Sequence, residues 1–160
     1  MNATIIRRAT LDDVPAIVAM LADDPLGATR ESPGDPAYAA AFAEIDRDEH
    51  QYLAVAEVDG EVVGTLQLTL IPGLSRRGGT RALIEAVRVR SDRRGSGLGR
   101  ELAQWAVDRA RDEGAIMVQL TSDASRADAH RFYERLGFAA THVGLKLPLT
   151  AAPGSPRPGA

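Results

Sequence analysis

The 160-residue sequence contains no cysteine. Disulfides, thiolate metal sites and a cysteine nucleophile are thereby excluded. Lysine is nearly absent too: Lys146 stands alone, and arginine supplies the rest of the positive charge. Aromatic residues make up only 4% of the chain, too few to interleave with basic residues as a nucleic-acid surface requires, and the formal charge of −3 opposes such a partner as well. No nucleic-acid partner is expected. His50, His130 and His142 are the only histidines and show neither HxxxH nor HExxH spacing, so no metal is expected. No apolar run approaches the ~20 residues of a membrane span, and the opening stretch MNATIIRRATLDD has no apolar leader segment. The expectation is a cytoplasmic protein with no membrane partner.

What is present is ordinary globular usage, with 44% apolar and 26% charged residues in a length that suits one domain. Residues 1–148 read as that domain. Residues 149–160 read as a disordered Pro/Gly-rich tail with little to bury. Charge is unevenly spread. Residues 23–49 hold eight acids against two arginines, a net of −6, whereas residues 76–100 hold eight arginines against Glu85 and Asp92, a net of +6. One segment suits a cation and the other an anion; solvated faces explain the same counts.

Periodicity predicts a short strand at Thr4 to Arg8, then a helix opened by Leu11-Asp12-Asp13 with the stripe Val14, Ile17, Val18 and Leu21. A Pro/Gly loop separates it from a second helix ending near Asp48. Gln51 to Val58 and Glu61 to Ile71, joined by Asp59-Gly60, form the strongest hairpin signal. A loop at Gly73 to Gly79 precedes a strand from Thr80 to Arg90. Glycines 95, 97 and 99 then lead into a helix from Leu98 to Glu113. A strand at Ala115 to Thr121, a helix at Ser125 to Leu136 and a final strand at Phe138 to Leu147 complete the chain. This order implies an α+β fold layered α/β/α, a mixed central sheet of about six to seven strands flanked by about four helices.

The chemistry concentrates in the strand-loop-helix VRVRSDRRGSGLGRELAQWAVDRA. Alternating glycines let backbone approach a ligand closely, and first-turn amides of the following helix are free to receive phosphate. Arg93, Arg94 and Arg100 add charge of the matching sign. A purely structural strand-to-helix turn is the competing explanation. The Walker pattern is absent, and so is the GxGxxG dinucleotide fingerprint, because residue 100 is Arg and residue 102 is Leu.

Arg94-Gly95-Ser96-Gly97-Leu98-Gly99 resembles the R/Q-x-x-G-x-G/A signature of the GNAT superfamily of N-acetyltransferases. The block Ala127 to Phe138 resembles that family's second signature, A-x-x-F-Y-E-x-x-G-F, and the element order matches from Thr4 to Leu147. The resemblance implies that residues 1–148 are a GNAT domain using acetyl-coenzyme A as co-substrate and no metal. It implies transfer of an acetyl group, in a ternary complex, to a primary amine: a small cationic amine, a polyamine, an amino sugar or a lysine side chain of a protein. A coenzyme A sensor or assembly module without turnover is the alternative. Homodimers are frequent among members, which carries over as an expectation.

By the same resemblance, coenzyme A lies between two splayed parallel strands. Its pyrophosphate rests on the amides of Arg94, Gly95, Ser96, Gly97, Leu98, Gly99 and Arg100. Its pantetheine arm pairs with backbone at Val87, Arg88 and Val89. Tyr133 matches the tyrosine that protonates the departing sulfur, although a helix-face aromatic packing beside Phe132 and Phe138 explains it too. Glu85 matches the position of a carboxylate base, acting directly or through water; alternation sets it opposite Ile84 and Ala86, on a face that is either cleft or solvent. Arg126 stands where many members have Asn and becomes either a phosphate contact or a solvated side chain. The −6 segment falls on the acceptor side, making Asp24, Glu31 and Tyr38 candidate substrate contacts, while Arg76 and Arg77 suit an anionic group on the acceptor.

Overall fold

Asp59 and Gly60 take positive φ values of 56° and 80°, the backbone that a two-residue hairpin turn needs. They join β2 (Gln51–Val58) to β3 (Glu61–Ile71), antiparallel strands with the predicted bounds. The computed structural model describes residues 3–150. On one side of the hairpin β1 (Ile5–Arg8) pairs antiparallel with β2; on the other, β4 (Arg81–Val89) pairs antiparallel with β3. Beyond β4 lies β5 (Met117–Gln119), parallel to it, so the sheet order is β1-β2-β3-β4-β5.

The helices are α1 (Val14–Ala22), α2 (Ala37–Arg47), the single turn α3 (Ser75–Gly78), α4 (Leu98–Asp112) and α5 (Ala127–Arg135). Arg76 and Arg77 within α3 have φ of 55° and 61°, so that turn is left-handed backbone rather than a continuing helix.

The fold is the expected α+β arrangement, with corrections: the strand expected at Ala115 to Thr121 spans only Met117–Gln119, the expected Gly73 to Gly79 loop holds the turn α3, and the last expected strand is absent among the described residues. The sheet has five strands rather than six to seven, because Phe138 to Leu147 is irregular. Val143, Leu145 and Leu147 alternate as a strand would, yet they are 86%, 92% and 83% exposed. A strand exists through its ladder, and this segment has no ladder partner among the described residues. Leu149 and Thr150 of the expected tail are exposed; residues 151–160 lie outside the described residues.

The sheet's core face is covered by α4, whose buried residues Leu98, Leu102, Ala103, Ala106 and Ala110 repeat at helical spacing. Ala54, Ala56, Leu66, Leu68, Ala82 and Ile84 meet them. Alanine and glycine bring the layers close. A Cβ placed on Gly64 would lie 2.8 Å from Leu102 Cδ1 and 3.3 Å from Ala56 Cβ. On the other face α1 packs through Ile17 against Ala9 and Val55, joined by Leu21 and Phe42.

The corner where β1 enters α1 is locked by charge. Arg7 donates from Nη1 to Asp13 Oδ2 (2.7 Å), from Nη2 to Asp13 Oδ1 (3.1 Å) and from Nε to Glu57 Oε2 (2.9 Å). Asp13 also accepts from the Thr10 amide (2.7 Å) and hydroxyl (3.1 Å), while its own amide donates to Thr10 O. This capping box satisfies the helix entry. The Arg7 hydrogen bonds hold the Asp13 carboxyl down at about 2, against an opposing effect of burial.

Candidate active site

A bulge in β4 shapes the site. Thr65 pairs with Arg88, but Gln67 pairs with Glu85, so β4 has one residue more than β3 across that interval. The irregularity falls at Ala86, whose φ is 52°. Uninterrupted alternation would place Arg88 on the same face as Ala82 and Ile84. Instead Val87 and Val89 continue the packing against the α4 core, and Arg88 is turned to the α1 face, where its Nη2 lies 2.8 Å from Asp24 Oδ2 just past the end of α1.

The ladder between β4 and β5 covers only Arg81↔Met117, Ala82↔Val118 and Leu83↔Gln119. From Ile84 onward β4 keeps β3 as neighbour but has no ladder partner on its β5 side, so the two parallel strands part and leave the edge of Val87, Arg88 and Val89 unpaired there. At the end of β4 comes the glycine turn. Gly95 and Gly97 have φ of 78° and 94°, backbone that a side chain would strain. Gly97 caps α4 and accepts from the amides of Arg100 (2.9 Å) and Glu101 (3.1 Å). The Ser96 amide and hydroxyl both turn inward to Arg93 O. The amides of Gly97, Leu98 and Gly99 are those a helix start leaves without intrahelical acceptors. Gly99 sits against Phe132 Cζ and Val89 Cγ2, each 3.7 Å from where its Cβ would be, which ties the turn to α5.

Tyr133 is half-buried on α5, its ring edge-on to Phe132 (5.0 Å) and Phe138 (5.8 Å). It packs with aromatics, as one of its two sequence readings has it, and lies within electrostatic reach of Arg126 and Arg88. Burial pushes its hydroxyl above the ordinary value, and the positive charges of Arg126 and Arg88 pull the other way. Its proton is retained at neutral pH.

The remaining predicted residues divide. Glu85 is exposed, and its partner across the ladder, Gln67, lines an open groove of about 570 Å³ shared with Glu44, Ile45, Arg47, Asp48 and Gln51. Arg126 is exposed at the start of α5, and its charge reaches Arg88 and Tyr133. Arg94 bonds back to the protein, from Nη2 to Asp23 O (2.9 Å) and from Nε to Val89 O (3.2 Å); Arg100 is exposed. Glu31 accepts from Tyr38 (2.8 Å) and Arg30 (3.1 Å), and Tyr38 accepts from the Ser32 amide (2.9 Å), so these two residues brace their own loop. His130 Nε2 meets Asp123 O at 2.8 Å.

Three side-chain atoms among the described residues are buried with hydrogen-bonding capacity unmet: Asp24 Oδ2, Arg88 Nε and Ser122 Oγ. Asp24 and Arg88 meet in this cleft, and Ser122 lies three residues past the end of β5. Sequence reading missed Ser122, and it used Arg88 only for its backbone. The opposed −6 and +6 segments were the available signal for the Asp24–Arg88 and Asp23–Arg94 contacts.

Among the described residues no three His, Asp or Glu side chains are grouped to hold a metal, and no helix is long and apolar enough to cross a membrane. The acetyltransferase (GNAT) family model matches residues 16–138. The chain is 30% identical over 137 residues to an aminoalkylphosphonate N-acetyltransferase of Salmonella typhimurium, covering 86% of each. It is 32% identical over 144 residues to an L-methionine sulfoximine/L-methionine sulfone acetyltransferase of Pseudomonas paraeruginosa, covering 86% of this chain and 81% of that one. A crystal structure described as a transcriptional regulator from Bacillus halodurans superposes with a TM-score of 0.89 at 47% identity, over 92% of this chain and all of the other. The parted strands, the glycine turn and the tyrosine helix thus occur in a chain that belongs to the GNAT acetyltransferase family.

Proposed function

We propose that the cleft between β4 and β5 moves an acetyl group from acetyl-coenzyme A to a primary amine on a small molecule or a protein. The observation that carries this reading is the meeting, at one mouth of the fold, of an unpaired strand edge, a helix start with free amides and a half-buried tyrosine that keeps its proton. Those residues fit an extended thioester ligand with a phosphate group: the strand edge matches an amide-bearing arm, and the turn matches an anion. Membership of the family and the names of the two acetyltransferase relatives support the same reading.

Acetyl-coenzyme A supplies an activated acetyl carbon and a sulfur leaving group. Within the turn from Arg94 to Arg100, the amides of Gly97, Leu98 and Gly99 would hold the pyrophosphate, those of Arg94, Ser96 and Arg100 being bonded to backbone carbonyls. Backbone at Val87, Arg88 and Val89 aligns the arm, and an amide there stabilises charge on the thioester oxygen. Glu85 accepts the proton that the amine sheds, directly or through water. Tyr133 donates one to the departing sulfur, so the proton count balances.

The test is acetyl-coenzyme A-dependent thiol release across a panel of amines, with the product identified by its mass. Tyr133→Phe should lower kcat about 100-fold with KM little changed, in the range for losing a positioned acid. Thiol release unaccompanied by an acetylated amine, or full activity in both Tyr133→Phe and Glu85→Gln, contradicts the proposal. A coenzyme A-binding module without turnover is the second reading, favoured by the description of the Bacillus halodurans protein. Tight binding with no product from any amine is its signature.

A further inference from the structure

Arg88 is largely buried with its donors incompletely satisfied. Its side chain is only 13% exposed, and that of its partner Asp24 only 11%. Burying a guanidinium is costly unless its donors are satisfied. Here Nη1 donates to its neighbour Val87 O (2.9 Å), Nη2 stands 2.8 Å from Asp24 Oδ2 as an ion pair without an aligned hydrogen bond, and Nε is buried with no acceptor. The bulge at Ala86 exists at the cost of a non-glycine residue at positive φ, and its effect is to aim this side chain to the α1 face. Burial lowers the affinity of Arg88 for its proton, offset by Asp24 and reinforced by Arg126 and Arg30. Of those two arginines, Arg30 is committed to Glu31, whereas Arg126 makes no ion pair among the described residues. Arg88 and Arg126 both act on Tyr133, with Asp24 the carboxylate on Arg88 and Asp123 one that feels Arg126.

We propose that Arg88, with Arg126 beside it, is the anion-recognition element of the acceptor site and takes an oxyanion, carboxylate or phosphonate, carried by the amine substrate. This inference rests on the acetyltransferase reading and deepens it. Asp24 is paired with Arg88 and Glu31 bonds Tyr38 and Arg30, so these candidate contacts for a cationic amine already have partners within the protein. A planar guanidinium fork suits both oxyanions. An amino acid or aminophosphonate would place its amine toward Tyr133 while its acid group occupies Arg88.

The experiment compares amines on a shared skeleton: ethylamine, alanine and 1-aminoethylphosphonate, with a longer series built on 3-(methylthio)propylamine and methionine. In the wild type, kcat/KM for an acid-bearing version should exceed that of the bare amine by roughly 10- to 100-fold, the range for a hydrogen bond to a charged group. Which acid wins distinguishes carboxylate from phosphonate. In Arg88→Met that ratio should fall to about 1, and Arg88→Lys should restore only part of it because the fork is lost. A bare amine preferred by the wild type, or a ratio kept in Arg88→Met, overturns the proposal while leaving the acetyltransferase reading intact. Should no amine be acetylated, the acetyltransferase reading falls, and calorimetric titration of the coenzyme A-bound protein with propionate and ethylphosphonate decides the anion site alone. Saturable binding weakened about 10-fold in Arg126→Gln, an exposed position that leaves the fold undisturbed, supports it; heats that are absent or equal in the two proteins overturn it.

Discussion

Two arginine–aspartate pairs, equally necessary on a count of charges, behave in opposite ways. Arg7 and Asp13 form a fork-to-fork contact, and every remaining valence is used by Glu57, Thr10 and Arg8 O. The Arg7 guanidinium is raised above its usual range and the Asp13 carboxyl lowered to about 2, the mutual stabilisation of a complete network. Arg88 lies deeper than Arg7, 13% against 35% exposed, and meets Asp24 at one ion-pair contact that leaves Arg88 Nε without a hydrogen-bond acceptor; burial lowers Arg88 where hydrogen bonds raise Arg7. A complete pair holds a corner together. The proposed anion site is built on the incomplete one.

Removing both members of each pair breaks this comparison most sharply. Arg7→Met/Asp13→Asn should destabilise the fold by about 3 kcal/mol, because capping and cross-strand contacts go with it. Arg88→Met/Asp24→Asn should cost less than about 1 kcal/mol, as expected when an imperfectly bonded buried pair is replaced together. Chemical denaturation with shared slope checks both. The reverse ranking would make the cleft pair the structural one.

At the site itself, Glu85→Gln should lower kcat/KM about 10- to 100-fold at neutral pH, less than the loss at Tyr133 if water can carry the proton. Initial rates against pH measure this, and the alkaline limb should fall only above the ordinary tyrosine value, because Tyr133 is raised by burial. A limb unchanged in Tyr133→Phe would assign it elsewhere.

The smallest effect is on acid stability. Asp13 has a folded value near 2 against an ordinary 3.8, so its contribution is fully present above 3.8 and is lost as pH falls toward 2. Stability in that window should decline less steeply in Asp13→Asn than in the wild type, measured by denaturant midpoints at several acid pH values. Parallel curves would show that Asp13 does not carry the transition.

How much of this was legible in the sequence follows from what each feature depends on. The hairpin was readable to the residue, since Asp59-Gly60 is a local turn flanked by regular strands. The start of α4 was readable too, set by Gly97, with its end one residue short of the expected Glu113 and its buried face repeating at helical spacing. The glycine turn and the Phe132-Tyr133 pair were readable because they are contiguous motifs. The final strand was misread, because Val143, Leu145 and Leu147 carry the pattern without a ladder to join. The role of Arg88 was hidden by the bulge: period-2 reasoning assigns its side chain to the wrong face, and nothing in residues 84 to 88 announces the extra residue. Its pairing with Asp24 spans 64 positions of sequence and becomes visible only when α1 and β4 are packed.

The central claim is that the parted strands and glycine turn bind acetyl-coenzyme A. The most direct measurement is thermal unfolding of the wild type and of Gly97→Val, each with and without the ligand. At a hundredfold excess over the dissociation constant, native-state binding adds about 2.7 kcal/mol, so the wild-type midpoint should rise by roughly 5 to 10 °C for a domain of this size. Gly97→Val, forced to hold φ near 94° with a branched side chain, should show little rise. A wild-type midpoint unmoved at millimolar acetyl-coenzyme A would contradict the account and leave the turn a purely structural joint.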